Sequence, residues 1–274
     1  MNEAELFWLR VFLSFIIGGT WLMLISVIAE RKGTKLGGLL GGLPHTVLVA
    51  LLFIGINQGA DFAAESAAST VVPFIVNPFF LWLLATKARQ SLKIALLLAA
   101  TFWLAAMVVV RGLQLTDIWV NLVIWLAGMV VLLVRFQRIL PVNDVKGAAV
   151  SFTKRQLTMR AVFAGVIIAS AVIGGKYGGS VLGGILAGFP AGFLSTFVIA
   201  YYSRGLLFAQ SFARTLMLSG AITPTVYVVA VHFLYPTVGL WWGTLIAFGI
   251  SLGCMQYVVA PLVARLNRSA TMSV

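Results

Sequence analysis

The strings LGGLLGGLP (residues 36–44) and LGGILAGFP (residues 182–190) decide the fold, because they are two copies of one pattern. Both read Leu-Gly-Gly-x-Leu-x-Gly-x-Pro, and they begin 146 residues apart. The same spacing relates three further pairs: Gly59 and Gly205, Phe62 and Phe208, and Pro78 and Pro224. A single spacing without gaps indicates an internal duplication. Each copy carries a glycine-rich segment that ends in proline, which predicts a break in a helix.

The composition indicates a membrane protein. Hydrophobic residues make up 61% of the chain, charged residues only 9%, and the mean hydropathy is +1.05, so polar residues are too few to cover a water-facing surface. The net charge of +12 comes from short basic runs between apolar segments, which favours topology signals over a nucleic-acid partner. A single cysteine, Cys254, excludes a disulfide framework and a multi-cysteine metal site.

Nine apolar segments are candidates for crossing a bilayer, since a spanning helix needs about 20 apolar residues. The sixth is short unless it begins near Leu157. We therefore predict an all-α polytopic membrane protein with about nine transmembrane helices. Their approximate ranges are 6–29, 36–56, 62–86, 94–110, 118–134, 161–173, 181–202, 206–235 and 238–266.

The basic residues predict the orientation of these helices. With nine crossings, all of the 19 Lys and Arg residues fall on one side except Arg10, Arg111 and Lys176. The positive-inside rule places the rich side in the cytoplasm. We therefore expect a plasma (inner) membrane protein with its amino terminus outside and its carboxyl terminus cytoplasmic. Because Glu3 and Glu5 precede the first apolar run without a basic stretch, we expect that run to remain as a helix rather than to be a cleaved signal peptide.

The helix count makes the duplication an inverted one. The first copy comprises helices one to four and the second comprises helices six to nine, with helix five between them, so the copies enter the membrane from opposite sides. We predict a first membrane repeat at residues 1–112, a linker helix with a basic cytoplasmic connector at 113–160, and a second, inverted repeat at 161–274. The basic stretch 135–160 is either a plain loop facing lipid headgroups or a regulatory element.

The second copy resembles a known family. Its stretch 184–220, with Gly188-Phe189-Pro190, Arg204-Gly205 and Arg214, is similar to the GlpM-like family of small four-helix bacterial inner-membrane proteins. The whole chain looks like two such modules fused through an extra helix, over about 40 residues in each half. The first copy departs from the pattern, with Gln58 and Ala68 in place of the two arginines. The resemblance implies the duplicated module; a link to exopolysaccharide production has been proposed for some members.

The helix breaks predict a binding site. Glycine and proline inside a membrane helix leave backbone groups unpaired, which is tolerated where protein, water or a ligand satisfies them. Pro44 suits the first turn of a new half-helix, and its amides at the positive end of the helix dipole attract anions. Each break lies about 12 Å from its own membrane face, so within a core of about 30 Å the two lie about 6 Å apart in depth. Two opposed half-helix ends near the midplane are typical of secondary transporters.

Alternatives remain at each candidate position. Glycines four apart, such as Gly184 and Gly188, also let helices pack closely around a mere kink. His45, which is Ala191 in the second copy, is either an ionisable group of the site or a neutral histidine bonded within the bundle. Hydroxyls can bond their own backbone, and Arg214 either binds an anion from the cytoplasm or snorkels to the headgroups. The candidate substrate-binding residues are Gly41, Gly42, Pro44, His45, Asn77, Gly188, Pro190, Ser195, Thr196, Thr223 and Arg214.

The sequence contains no paired acidic motif for magnesium, no metal-spaced His or Cys cluster and no phosphate-cradling loop. We therefore expect no enzymatic activity, no cofactor and no bound metal. The pattern favours a secondary transporter or flippase for a small anion or an anionic lipid headgroup, bound between broken helices two and seven. The alternative is a noncatalytic structural or accessory membrane subunit. The expected partners are the lipid bilayer and such an anion, with no nucleic acid; a homodimer is one possible assembly.

Overall fold

The protein is built from helices. The computed structural model describes residues 2–31, 39, 41–139 and 152–271, and helices are the only regular secondary structure of these residues. Gly37, Gly38 and residues 140–151 of the predicted connector lie outside them. The helices are α1 (Glu3–Arg31), α2 (His45–Gln58), α3 (Ala60–Lys87), α4 (Leu92–Gly112), α5 (Ile118–Ile139), α6 (Lys154–Ala187), α7 (Ala191–Arg204), α8 (Leu206–Val238), α9 (Leu240–Cys254), a π-helical turn (Met255–Val259) and α10 (Ala260–Thr271).

The lengths and apolar character of the helices confirm a multi-pass membrane protein. Six helical stretches within the described ranges are long and apolar enough to cross a membrane, and the apolar helices at His45–Gln58 and Ile118–Val134 are shorter. Large apolar side chains on α4, α5 and α9 are mostly exposed, for example Val108, Val123 and Trp241. Such a surface is unfavourable in water and suits contact with lipid tails. The more deeply buried α3 and α8 form the centre of the bundle.

α6 covers the predicted sixth segment (161–173) and the start of the predicted seventh (181–202). α6 begins at Lys154 because a capping box precedes it: the Thr153 side chain accepts from the Gln156 amide, and the Gln156 side chain accepts from the Thr153 amide. Gly179, at φ 84° and ψ 173°, is not helical, and it divides α6 into two helical segments, residues 154–178 and 180–187, that meet at a kink. The helix starts before Leu157, which makes it longer than the apolar run 161–173, because its polar first turn is not part of that run. The kink at Gly179 falls between the predicted sixth and seventh segments.

α3 and α8 are equivalent helices of the two copies, and they run antiparallel. Near the start of α3, the Ala64 carbonyl oxygen lies 2.9 Å from Nδ1 of His232, which is near the end of α8. Near the end of α3, the Ala85 carbonyl accepts a 2.8 Å hydrogen bond from Nε2 of Gln210, near the start of α8. Contacts that join the start of each helix to the end of the other define an antiparallel pair.

α1 and α6 form a second antiparallel pair of equivalent helices. The ring of Phe7, early in α1, lies 6.0 Å from that of Tyr177, late in α6. At the crossing point, a Cβ on Gly19 would lie 2.6 Å from the Ala161 carbonyl oxygen. Its equivalent, Gly165, meets a carbonyl oxygen of α1 at the same 2.6 Å. Equivalent glycines of the two stretches therefore make the same close contact, each with the other helix.

Candidate functional site

The two half-helices begin with the same backbone geometry. Pro44 precedes α2 with φ −76° and ψ 41°, and Pro190 precedes α7 with φ −78° and ψ 45°. Each proline carbonyl accepts a 2.9 Å hydrogen bond from the amide four residues later. Proline lacks an N–H and its ring crowds the preceding turn, which favours a break. Proline alone is not sufficient, since Pro73 and Pro224 lie inside α3 and α8; Pro44 and Pro190 follow glycine-rich segments, and their own backbone is not helical. The repeated string therefore produces two new helix starts.

The half-helices also end alike. Both α2 and α7 contain 14 residues. They stop at Gly59, with φ 97°, and Gly205, with φ 84°. Positive φ is the left-handed region, which glycine enters without steric cost. Each half-helix therefore begins after a proline and ends at a left-handed glycine.

The first turns of both half-helices carry free amides. The amides of His45 and Ala191 each donate at 2.8 Å to a carbonyl two residues earlier. No hydrogen bond among the described residues uses the next two amides of either helix. Unpaired amides in a first turn carry the positive end of the helix dipole. The four groups belong to Thr46, Val47, Gly192 and Phe193.

Both helix starts line one small cleft. None of its lining residues is exposed. The centre of a water-sized sphere can move through a volume of about 30 Å³ in this cleft. Such a cleft holds about two water molecules. The first copy contributes Gly42, Leu43, Pro44, His45, Thr46, Val47, Phe74 and Asn77, and the second contributes Phe189, Pro190, Gly192, Phe193 and Pro224.

His45 is the titratable side chain of this cleft. It is only 6% exposed, and its Nδ1 has no hydrogen-bond partner among the described residues. Its Nε2 lies 3.0 Å from the point where a Cβ on Gly192 would stand, so the ring reaches from the start of α2 to the first turn of α7. A buried nitrogen without a partner costs about 1–3 kcal/mol. A ligand or water that bonds to Nδ1 would remove this cost.

Asn77 supports the second break. Its Nδ2 donates to the Gly188 carbonyl at 3.0 Å, and its Oδ1 accepts from Nε1 of Trp103 at 2.9 Å. The Trp103 ring in turn packs edge-on against Phe189, with centroids 5.0 Å apart. Asn77 therefore satisfies a carbonyl at the end of α6 and fixes it against α4.

Replacing Asn77 by leucine is expected to lower the free energy of unfolding by about 2–3 kcal/mol, because two buried polar groups lose their partners. Thermal unfolding of the purified chain in detergent measures this. Asn57→Leu is the matched control, since Asn57 donates only to Phe53 in its own helix, and we expect it to change stability by less than about 1 kcal/mol. Equal stability of Asn77→Leu and the wild type would contradict the role of Asn77.

The glycines of the repeated string pack the breaks against the opposite copy. A Cβ on Gly42 would lie 2.7 Å from the backbone carbonyl carbon of Ser219 on α8, and a Cβ on Gly188 would lie 2.6 Å from Cβ of Pro73 on α3. Ser219 and Pro73 are themselves equivalent at the repeat spacing. Gly41 packs against α8, and neither Gly41 nor Gly188 lines the cleft. Close packing and a helix break therefore occur together.

Four other predicted site residues lie outside the cleft lining. Ser195 and Thr196 donate to carbonyls of their own helix, Ser195 to Ala191 at 2.8 Å and Thr196 to Gly192 at 2.7 Å. Thr223 is fully buried, and its Oγ1 has no hydrogen-bond partner in the part of the chain that the structure describes. Arg214 is 4% exposed and lies inside the bundle.

Arg160 is a candidate that the sequence did not single out. The predicted connector included it, but α6 begins at Lys154, which places Arg160 well inside the helix. It is 6% exposed, and its Nη1 donates to Oγ1 of Thr196 at 2.6 Å. Its Nε has no hydrogen-bond partner among the described residues. The capping box at Thr153 is the sequence signal that could have placed it in a helix.

The charged side chains that are buried among the described residues are basic. The two charged side chains that are buried in the described part of the chain are both arginines, Arg160 and Arg214. The carboxylates whose side chains the structure describes are all exposed, and these belong to Glu3, Glu5, Asp61, Glu65 and Asp117. A buried guanidinium such as that of Arg160, together with helix amino termini, attracts anions.

Comparisons with protein-family models, with curated proteins and with solved structures found no match. Fold and site together define a class: a helical multi-pass membrane protein with two proline-initiated half-helices around a buried cleft. The similarity of its modules to the GlpM-like family stays a prediction. A function must therefore be argued from the site itself.

Proposed function

We propose that this protein is a secondary transporter or flippase that binds a small anion or an anionic lipid headgroup in the cleft between Pro44 and Pro190. One observation carries the proposal: the amino-terminal turns of α2 and α7, one from each copy, line the same buried cleft as the unpartnered Nδ1 of His45. Free amides at a helix start carry about half a positive charge. Such ends are ready-made sites for anions.

The proposed architecture is an inverted repeat of nine crossings, with α5 joining two four-helix copies. The antiparallel pairs α3 with α8 and α1 with α6 support it, because equivalent helices that cross a membrane in opposite directions are related by an axis in the membrane plane. α2 alone is about 21 Å long at 1.5 Å per residue, shorter than a core of about 30 Å. The residues before Pro44 would complete its crossing. The amino terminus then faces outside and the carboxyl terminus the cytoplasm of the inner membrane.

Transport by the purified chain in liposomes tests the proposal. The probes are chloride, nitrate, formate and inorganic phosphate for anion flux, and fluorescent phosphatidylglycerol for lipid transfer between leaflets. We expect saturable movement of at least one probe, and a higher thermal unfolding midpoint in its presence, because a ligand that binds only the folded state stabilises it. Folded protein that moves none of them, with no shift in the midpoint, would contradict transport.

A structural or accessory subunit is the second candidate. The tight contacts of Gly42 with Ser219 and of Gly188 with Pro73 favour it, since glycine at such crossings serves packing alone in many membrane proteins. This function predicts no ligand-induced stabilisation. It also predicts that the chain is retained by other membrane proteins during mild solubilisation.

A further inference from the structure

We propose that the ligand of the cleft is a compact, singly charged anion, of the size of a halide, nitrate or formate, and that Arg160 supplies its counter-charge. This inference rests on the proposed function and narrows it from anions in general to one class. It excludes the lipid headgroup. Three properties of the site carry it: the size of the cleft, the unpaired charge of Arg160, and the contacts that join Arg160 to the first turn of α7.

The size of the cleft limits the ligand. Its room of about 30 Å³ is bounded by residues that are all buried or half-buried. This space holds about two water molecules, which a halide or a three- or four-atom oxyanion can replace. A glycerophosphate headgroup is several times larger. The small room at the two helix starts therefore favours a compact ligand.

Arg160 has no acidic partner among the residues that the structure describes. A guanidinium has five N–H donors, whereas Nη1 makes the hydrogen bond to Thr196 and Nε makes none. Its other close contact is the Phe152 ring, whose centroid lies 4.8 Å from Cζ. The carboxylates that the structure describes are exposed, away from this buried group. An unpaired charge inside a membrane protein is costly and marks a functional site by default. One singly charged anion would balance it.

Arg160 and His45 meet the same two turns of α7. Nη1 of Arg160 donates to Thr196, and Thr196 donates to the Gly192 carbonyl at 2.7 Å. Nε2 of His45 lies against Gly192. One helical turn is about 5.4 Å long, so the guanidinium lies within about 8 Å of the cleft. At that separation and an effective dielectric constant of about 20, its charge strengthens anion binding on the order of tenfold.

Thermal unfolding of the full chain in detergent tests both parts of the proposal. Sodium gluconate is replaced stepwise by sodium chloride, nitrate or formate at constant ionic strength, and dioctanoyl phosphatidylglycerol is compared with dioctanoyl phosphatidylcholine in separate samples. We expect a saturable rise in the unfolding midpoint with at least one small anion, and equal midpoints with the two lipids. Arg160→Gln should need at least about tenfold more anion for half of the rise. Arg155→Gln, an exposed position on the same helix, should behave like the wild type.

Different failures separate the two proposals. If Arg160→Gln needs the same anion concentration as the wild type, Arg160 does not supply the counter-charge. If the unfolding midpoint rises with phosphatidylglycerol but with no small anion, the size limit is wrong. Neither result contradicts the proposed transporter. No rise and no flux with any probe contradict the transporter itself. If Arg160→Gln does not fold, wild-type crystals grown in bromide decide the matter. A bromide peak between Pro44 and Pro190 on the side of Thr196 is expected, and a cleft without one overturns the inference.

Discussion

Gly188→Leu is expected to prevent the chain from accumulating as folded protein in the membrane. A Cβ at this position would lie 2.6 Å from Cβ of Pro73 and 3.1 Å from Cγ2 of Thr70. The proline ring is joined to the backbone of α3 at two points, so it cannot turn aside. Overpacking typically costs about 1–3 kcal/mol, and a whole leucine side chain against a fixed helix costs more. That is a large part of a typical stability of about 5–15 kcal/mol.

The yield of monodisperse protein after solubilisation measures this effect. Gly249→Leu is the control, because a Cβ on Gly249 meets nothing within 4 Å, and it should accumulate like the wild type. The reciprocal contacts also predict that Gly42→Ala and Gly188→Ala lower the unfolding midpoint by similar amounts. Normal accumulation of Gly188→Leu would mean that the second break is not packed on α3.

Gly192→Val is expected to reduce flux of the transported anion at least about tenfold while the chain stays folded. Gly192 lines the cleft, and its nearest neighbour is the tip of the His45 side chain, which can rotate away. The three added carbons would occupy room of only about 30 Å³. A bound anion and these carbons cannot share that space, because atoms in a close-packed interior do not interpenetrate.

Flux per folded molecule in liposomes, measured together with the unfolding midpoint, checks this expectation. Gly253→Val on α9 is the control, since a Cβ there also meets nothing within 4 Å. It should leave both quantities unchanged. Flux at the wild-type level in Gly192→Val would place the route of the anion outside the cleft.

The half-helices could be predicted from the sequence because proline and glycine act locally. Pro44 and Pro190, each after a glycine-rich segment, favour the start of a new helix, and Gly59 and Gly205 allow a left-handed residue that other side chains resist. The repeated Gly/Pro pattern therefore predicts the same backbone conformation at the ends of both half-helices. Membrane insertion followed from composition alone, since no arrangement of so few polar residues covers a soluble protein.

The role of Arg160 could not be predicted, because it depends on tertiary contacts. Its burial requires that α6 begin early and pack against α7, and its one hydrogen bond joins residues 36 positions apart. The bond from Asn77 to the Gly188 carbonyl spans 111 positions. In contrast, Thr196 was assigned to the site, yet its hydroxyl donates to its own helix, as membrane hydroxyls often do.

The similarity of the half-helices α2 and α7 has a consequence for the resting state of the proposed transporter. If the copies were identical, exchanging their conformations would turn an inward-open molecule into an outward-open one of equal free energy, and both would be equally populated. The copies differ at many buried polar positions, and three of these differences change a basic or ionisable side chain. His45 corresponds to Ala191, Arg160 to Ser14, and Arg214 to Ala68. These substitutions therefore break the degeneracy. They set which face the empty protein presents, and about 1.4 kcal/mol of difference is enough for a tenfold bias.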